Sequence, residues 1–330
     1  IVPLVFAVSI AIVLHPVVNF FVRMRMKRVI AIIITIFLTF LIVASLAALI
    51  ISQMNKFGES WPIMVDRFTA MLNETISKLS VYTDISPELI SDYLEKGKDE
   101  MLNIGKAAIG ETLITIGSIV MALLLVPVYV FIILFYHSLL VEFLHQVFGK
   151  SDQRQVSAII SKTKTVVQRY LVGLIIEAAI VAVMNSAALL ALGIEYAILL
   201  GIIGALLNVI PYIGGIVAVA LPMIVALATK DSGMYAVYVL VLYYIIQLID
   251  NNYIVPVIVS SKVKINALFS IIVVFAGNAL WGITGMFLSI PLLAIVKLIF
   301  DHIESLKPWG FLLGDTMPSF LKLKPIFKKK

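Results

Sequence analysis

The chain has 330 residues, 62% of them hydrophobic and 13% charged, with a mean hydropathy of +1.09 and a formal charge of +6. Soluble domains carry roughly 45–50% apolar and ~25% charged residues, so this composition is that of an all-α polytopic membrane protein. It contains no cysteine, which excludes disulfides, thiolate metal sites and Cys nucleophiles. Its basic residues cluster at membrane ends, so the positive charge speaks of topology and not of nucleic-acid binding.

Residues 1–52 are expected to hold two transmembrane helices. Ile1 to Val22 is apolar apart from His15 and Asn19. Arg23, Arg25, Lys27 and Arg28 follow at once, which places this loop on the cytoplasmic side. Val29 to Ser52 is charge-free and runs outward. The chain begins inside an apolar segment, at Ile1 and not at Met, so an earlier segment is expected to precede it. Residues 53–111 carry six basic and ten acidic side chains, which suits an extracytoplasmic helical insert. Ser60-Trp61-Pro62 and Ser86-Pro87 read as helix starts. Residues 112–136 form the next span, with Pro127 as a tolerated kink. Residues 137–169 carry five basic residues against two acids and read as a cytoplasmic segment. There Ser151 is a candidate cap, and Val156, Ile159, Ile160, Thr163, Val166 and Val167 recur at helical spacing.

Residues 170–300 form the membrane core. Tyr170 to Ile194 is a span that holds Glu177. Tyr196 to Thr229 is a run of 34 residues without a charge, about 51 Å as one helix against a hydrocarbon core of ~30 Å. Asn208, Pro211, Tyr212, Gly214 and Gly215 sit in its middle, so two half-helices meeting at a break are expected. Ser232 to Ile249 spans again and ends in a polar corner of Gln247, Asp250, Asn251 and Asn252, followed by a connector with Pro256, Lys262 and Lys264. Ile265 to Val296 is a second charge-free run, of 32 residues, broken around Asn278, Gly282 and Gly285, with Pro291 beyond. If both runs are re-entrant hairpins, Lys262, Lys264 and the basic tail 301–330 all lie inside, which the positive-inside rule favours. Each arm is then about 14–16 residues, or roughly 22 Å, enough to reach the midplane but not to cross.

Glu177 is the acid deepest in a span. Ionisable groups there cost at least ~2.5–3.5 kcal/mol on insertion scales and face a cavity or a partner. It is the candidate for proton or cation coupling or for substrate contact, or else a protonated or Arg169-paired acid one or two turns below the interface. Broken backbone within a membrane is satisfied only by protein or a water-filled cavity, so Asn208 and Asn278 either serve a ligand or satisfy the break. The four histidines are scattered, and no metal-ligand spacing, Walker A, G-x-S-x-G or G-x-G-x-x-G pattern occurs. No cofactor, metal or catalytic residue is expected, and the protein is not read as an enzyme.

Three blocks together are specific: Asn208-Val-Ile-Pro-Tyr-Ile-Gly-Gly215, Asp250-Asn-Asn-Tyr-Ile-Val-Pro256, and Trp281-Gly-Ile-Thr-Gly-Met-Phe-Leu-Ser-Ile-Pro291. In order and spacing, with Tyr170-x-x-Gly173 and the early insert, they resemble the bacterial autoinducer-2 exporter (AI-2E) family of PerM-like permeases over essentially the whole chain. The resemblance implies about eight membrane segments, a homo-oligomer in the bacterial cytoplasmic membrane, and export of a small polar signal by some members or sodium–proton exchange by others. It departs at Leu174, where many members carry Gln, and at Ile265-Asn266-Ala267, where Leu-His-Pro is usual. The expected function is therefore secondary transport of a small polar solute or ion. The path would run along the two breaks and the polar corner, with Glu177 coupling. The alternatives are an oligomeric scaffold and a passive pore.

Overall fold

A computed structural model describes residues 2–80, 95–103, 125–147, 153–210, 214–259 and 265–315. Ser86, Pro87, Ser151, Pro211, Tyr212, Lys262 and Lys264 lie outside the described residues. The described part is helical, relieved by one isolated bridge between Ile265 and Gly314. Its helices are α1 (Val2–Arg23), α2 (Arg28–Ser80), α3 (95–103), α4 (Leu125–Phe135), α5 (His137–Val147), α6 (Gln153–Ala191), α7 (Ala197–Asn208), α8 (Gly214–Thr229), α9 (Met234–Ile249), α10 (Ala267–His302) and α11 (Lys307–Leu313). Among them five are long and apolar enough to cross a membrane, and α4 and α5 form a further pair bent by 64°. The chain is a multi-pass helical membrane protein. It divides into two compact units, one of residues 1–140 with 171–259, the other of residues 141–170 with 260–330.

In the first unit α1, α2 and α4 share a core of Ala7, Ala11, Val18, Ala31, Ile32, Val130 and Leu134. The small side chains of α1 let it lie close to its neighbours. The Arg28 guanidinium donates to the Leu134 carbonyl at 2.8 Å, taking up an acceptor in the last turn of α4. The bend follows directly, at Tyr136 and not at Pro127.

The boundary expected at Ser52 is absent. α2 is one helix of 53 residues, about 80 Å long, and Pro62 lies inside it instead of starting a new one. Its far end carries Phe57, Met64 and Phe68 onto α6, α7, α8 and α9, where Leu189, Leu200, Val225, Ala226, Val239 and Tyr243 form a second core. Ser60 Oγ and Tyr196 OH are hydrogen-bonded at 2.8 Å. Trp61 Nε1 donates to the Met101 carbonyl at 3.1 Å, and Lys98 pairs with Asp66 at 2.8 Å, so α3 is held along α2. The hydrogen bond to Asp66 raises the Lys98 ammonium above its ordinary value.

α7 and α8 pack on one another across residues 209–213, which is the broken run expected from Tyr196 to Thr229. α6 likewise has no break at residue 169: the amphipathic segment and the following span are one helix of 39 residues. α9 does not end in a corner. It passes directly into a π-helical segment, Asp250–Val259, so Pro256 stands within a helix and not in a connector.

In the second unit α10 contains the other break. Trp281 (φ −139°, ψ 17°) and Gly282 (φ 62°, ψ −144°) leave helical geometry, and the positive φ is one that glycine adopts without strain. Eight residues of straight helix would separate Gly277 from Gly285 by about 12 Å. Instead the Gly285 carbonyl oxygen lies 2.5 Å from where a Cβ on Gly277 would stand, so the chain doubles back. The arm after the turn, Thr284–His302, has 19 residues and is long enough to cross, where 14–16 were expected. Asn266 caps the first arm by accepting from Leu268 N at 2.9 Å, and its own amide donates to the Leu313 carbonyl at 2.8 Å. α11 packs on α10.

Candidate functional site

The polar residues of the first unit gather where α6, α7, α8 and α9 meet. Asp250 is the residue at which α9 changes to π geometry, and it is 1% exposed. Its Oδ2 accepts from Asn208 Nδ2 at 2.8 Å, across 42 positions of sequence, while its Oδ1 has no partner among the described residues. Asn208 is the last residue of α7, where the helix gives out, so the break delivers a side-chain amide to a buried acid.

Glu177 lies on α6 and is 5% exposed, and its Oε2 also has no partner among the described residues. One helical turn from each acid, Val181 of α6 packs with Ile246 of α9, which sets Glu177 and Asp250 at one level of the unit. Among the described residues no ion pair joins Glu177 to Arg169. A buried polar atom left without a hydrogen bond costs about 1–3 kcal/mol, more if charged. Two such oxygens, one on each acid, stand in an apolar interior without a hydrogen-bond partner among the described residues.

Beside this pair, Gln247 Nε2 donates to Asn251 Oδ1 at 3.4 Å. A Cβ on Gly215 would stand 2.8 Å from Gln247 Oε1 and 3.6 Å from Asn208 Oδ1. Gly215, Gln247 and Asn208 thus line one side of the acid pair. Gly214 is buried at the start of α8 against the Leu207 carbonyl and serves the turn. Asn251, Asn252 and Pro256 are exposed, with Asn252 Nδ2 donating to the Leu248 carbonyl at 2.8 Å. The sequence leaves Asp250 either part of a polar gate near the path or a helix end at the headgroup level. The π-helical continuation buries it, and the asparagines that follow turn away.

The other predicted residues belong to the second unit. Asn278 and Gly282 are exposed, and Gly285 and Pro291 are buried. Gly285 serves the backbone crossing, and its carbonyl accepts from Ser289 Oγ at 2.6 Å. The pairing of Asn208 with Asn278 in comparable positions is not what is observed. Asn208 ends a helix and bonds a buried acid, whereas Asn278 precedes its turn on an exposed face.

Two buried polar residues had not been singled out from the sequence. Asn185 Oδ1 and Tyr243 OH both lack a partner among the described residues, and the two residues are 2% and 7% exposed. The available signal was Asn185 in an apolar run, two helical turns after Glu177. Among the described residues no group of three or more His, Asp or Glu side chains could hold a metal ion.

A family model described as AI-2E family transporter matches residues 1–305. The "AI-2 transport protein TqsA" of Escherichia coli (strain K12) is 26% identical over 326 residues, 96% of this chain and 89% of TqsA. The "Putative permease PerM" of the same strain is 25% identical over 250 residues, 75% of this chain and 67% of PerM. The "Putative transport protein YueF" of Bacillus subtilis (strain 168) is 32% identical over 114 residues, 34% of this chain, and the match spans only 30% of YueF.

Proposed function

Given that the chain belongs to the AI-2E family of transporters, we propose that it is a secondary transporter of a small polar solute in a bacterial cytoplasmic membrane. Glu177 and Asp250 form its coupling pair. The observation that carries this reading is the buried acid pair, each member with an oxygen that has no partner among the described residues, set against the broken helix at Asn208. Acids inside a membrane are costly unless something compensates them. A proton or a sodium ion held between the two carboxyls would do so. Asn208, released from helical constraint at the break, fixes one carboxylate while the other oxygens stay free for the ion. The name of TqsA supports a small polar signal of the AI-2 kind as the solute class, and the protein is proposed to act as a homo-oligomer. Solute would pass along the face lined by Gly215, Gln247 and Asn208.

The test is flux into proteoliposomes loaded with candidate solutes and ions. Wild type is expected to move a solute in a pH- or sodium-dependent way, and Glu177→Gln to move it without that dependence. Unchanged coupling in Glu177→Gln would reject the role of the pair. Ohmic conductance would instead indicate a passive pore, and no flux above empty liposomes across the panel would reject transport.

A further inference from the structure

Glu177, Val181 and Asn185 follow one another at single-turn intervals on α6. Tyr243, Ile246 and Asp250 do the same on α9, and Gly204, Ala205 and Asn208 share the end of α7. Val181, Ala205 and Ile246 pack together as a small apolar cluster. The interior of the first unit is therefore layered. A charged level of Glu177, Asn208 and Asp250 is followed by an apolar septum about one helical turn thick, and then by a neutral level of Asn185, Gly204 and Tyr243.

The neutral level has the marks of a binding site. Asn185 Oδ1 and Tyr243 OH are buried and without a partner among the described residues, in a region otherwise packed with aliphatic side chains. They meet at one glycine: a Cβ on Gly204 would stand 3.2 Å from Asn185 Nδ2 and 3.4 Å from Tyr243 OH. Any larger residue there would press on both groups. Neither group carries a charge, so unlike the acids they do not neutralise a cation. A carboxamide oxygen only accepts, and a phenol both donates and accepts. The guest that satisfies both is one that donates to Asn185 and accepts from Tyr243.

We propose that Asn185, Tyr243 and Gly204 form a second binding level, beyond the acid pair, that holds a neutral O–H group. The group belongs either to a water molecule or to a hydroxylated solute. The inference rests on the transport reading for its place on a path, but the site itself is tested by binding alone.

The experiment uses the purified full chain with 3-fluorotyrosine at position 243, its fluorine resonance titrated with erythritol and compared in light and heavy water. A saturable shift with erythritol assigns the guest as a solute hydroxyl. A solvent-isotope shift without an erythritol response assigns it as water. Asn185→Leu is expected to weaken the erythritol response about tenfold, the loss of roughly one hydrogen bond, or to abolish the isotope shift. Gly204→Ala is expected to do the same by pressing on both groups, and Ile175→Ala, on the exposed face of α6, to leave both signals intact. A resonance that answers to neither probe, or answers equally in Asn185→Leu and Gly204→Ala, overturns the proposal. A protein inactive in flux that still shows the response would separate failure of the transport reading from failure of this one.

Discussion

The hydrogen bond from Asn208 to Asp250 is the residue-scale link between the broken helix and the buried acid. Asn208→Leu leaves the carboxyl with neither oxygen paired and is expected to destabilise the protein by about 1–3 kcal/mol, read as a lower unfolding temperature in detergent. Adding Asp250→Leu removes both partners, and the double variant is expected to recover stability relative to Asn208→Leu. Strictly additive losses would show that the pair does not interact. Glu177 was legible in the sequence because one acid stands in a long apolar run. Asp250 was legible as polar but not as buried, since the residues after it look like a helix end and only the π-helical continuation carries it inward. Asn185 and Tyr243 were not legible as a site. A neutral polar residue fits any helix face, and only the packing reveals that its polar atom has no partner.

At the scale of elements, the two hairpins follow from charge-free runs too long for one span, with glycine in their middle. The crossing of Gly277 and Gly285 sets the second hairpin, because backbone lies where side chains would be. Gly285→Ala is expected to cost about 1–3 kcal/mol or more through overpacking that the neighbouring backbone cannot relieve. Asn278→Ala, on an exposed face nearby, is expected to stay within about 0.5 kcal/mol. Thermal unfolding of both variants checks the contrast, and equal effects would contradict it. Element ends were less legible than element types. α2 continues past Ser52 and α6 runs through Arg169 because charge marks where a helix meets water, not where its backbone hydrogen bonding stops. Pro62 gives no stop either, since a long helix already held by packing on both sides of it tolerates the missing donor.

At the scale of the molecule, α2 is more than twice as long as a hydrocarbon core is thick, and its far end joins the core of α6, α7, α8 and α9 through Met64. The segment expected as an insert of its own therefore begins as a continuation of a span. On the opposite faces, Ile175 and Val183 are 62% and 69% exposed, as suits contact with lipid or another subunit. Inside, the same unit keeps Glu177, Asn185, Asp250 and Tyr243 out of contact with lipid. This contrast between an apolar exterior and a polar interior is the central claim, and the absence of native cysteine makes it directly measurable. Single cysteines at Asn208, Gln247, Ile175, Val183 and the exposed Asp231 are treated with a membrane-impermeant thiol reagent in proteoliposomes. A water-accessible path predicts labelling at Asn208→Cys, Gln247→Cys and Asp231→Cys and none at Ile175→Cys or Val183→Cys. Labelling at Asp231→Cys with none at Asn208→Cys and Gln247→Cys would contradict the account.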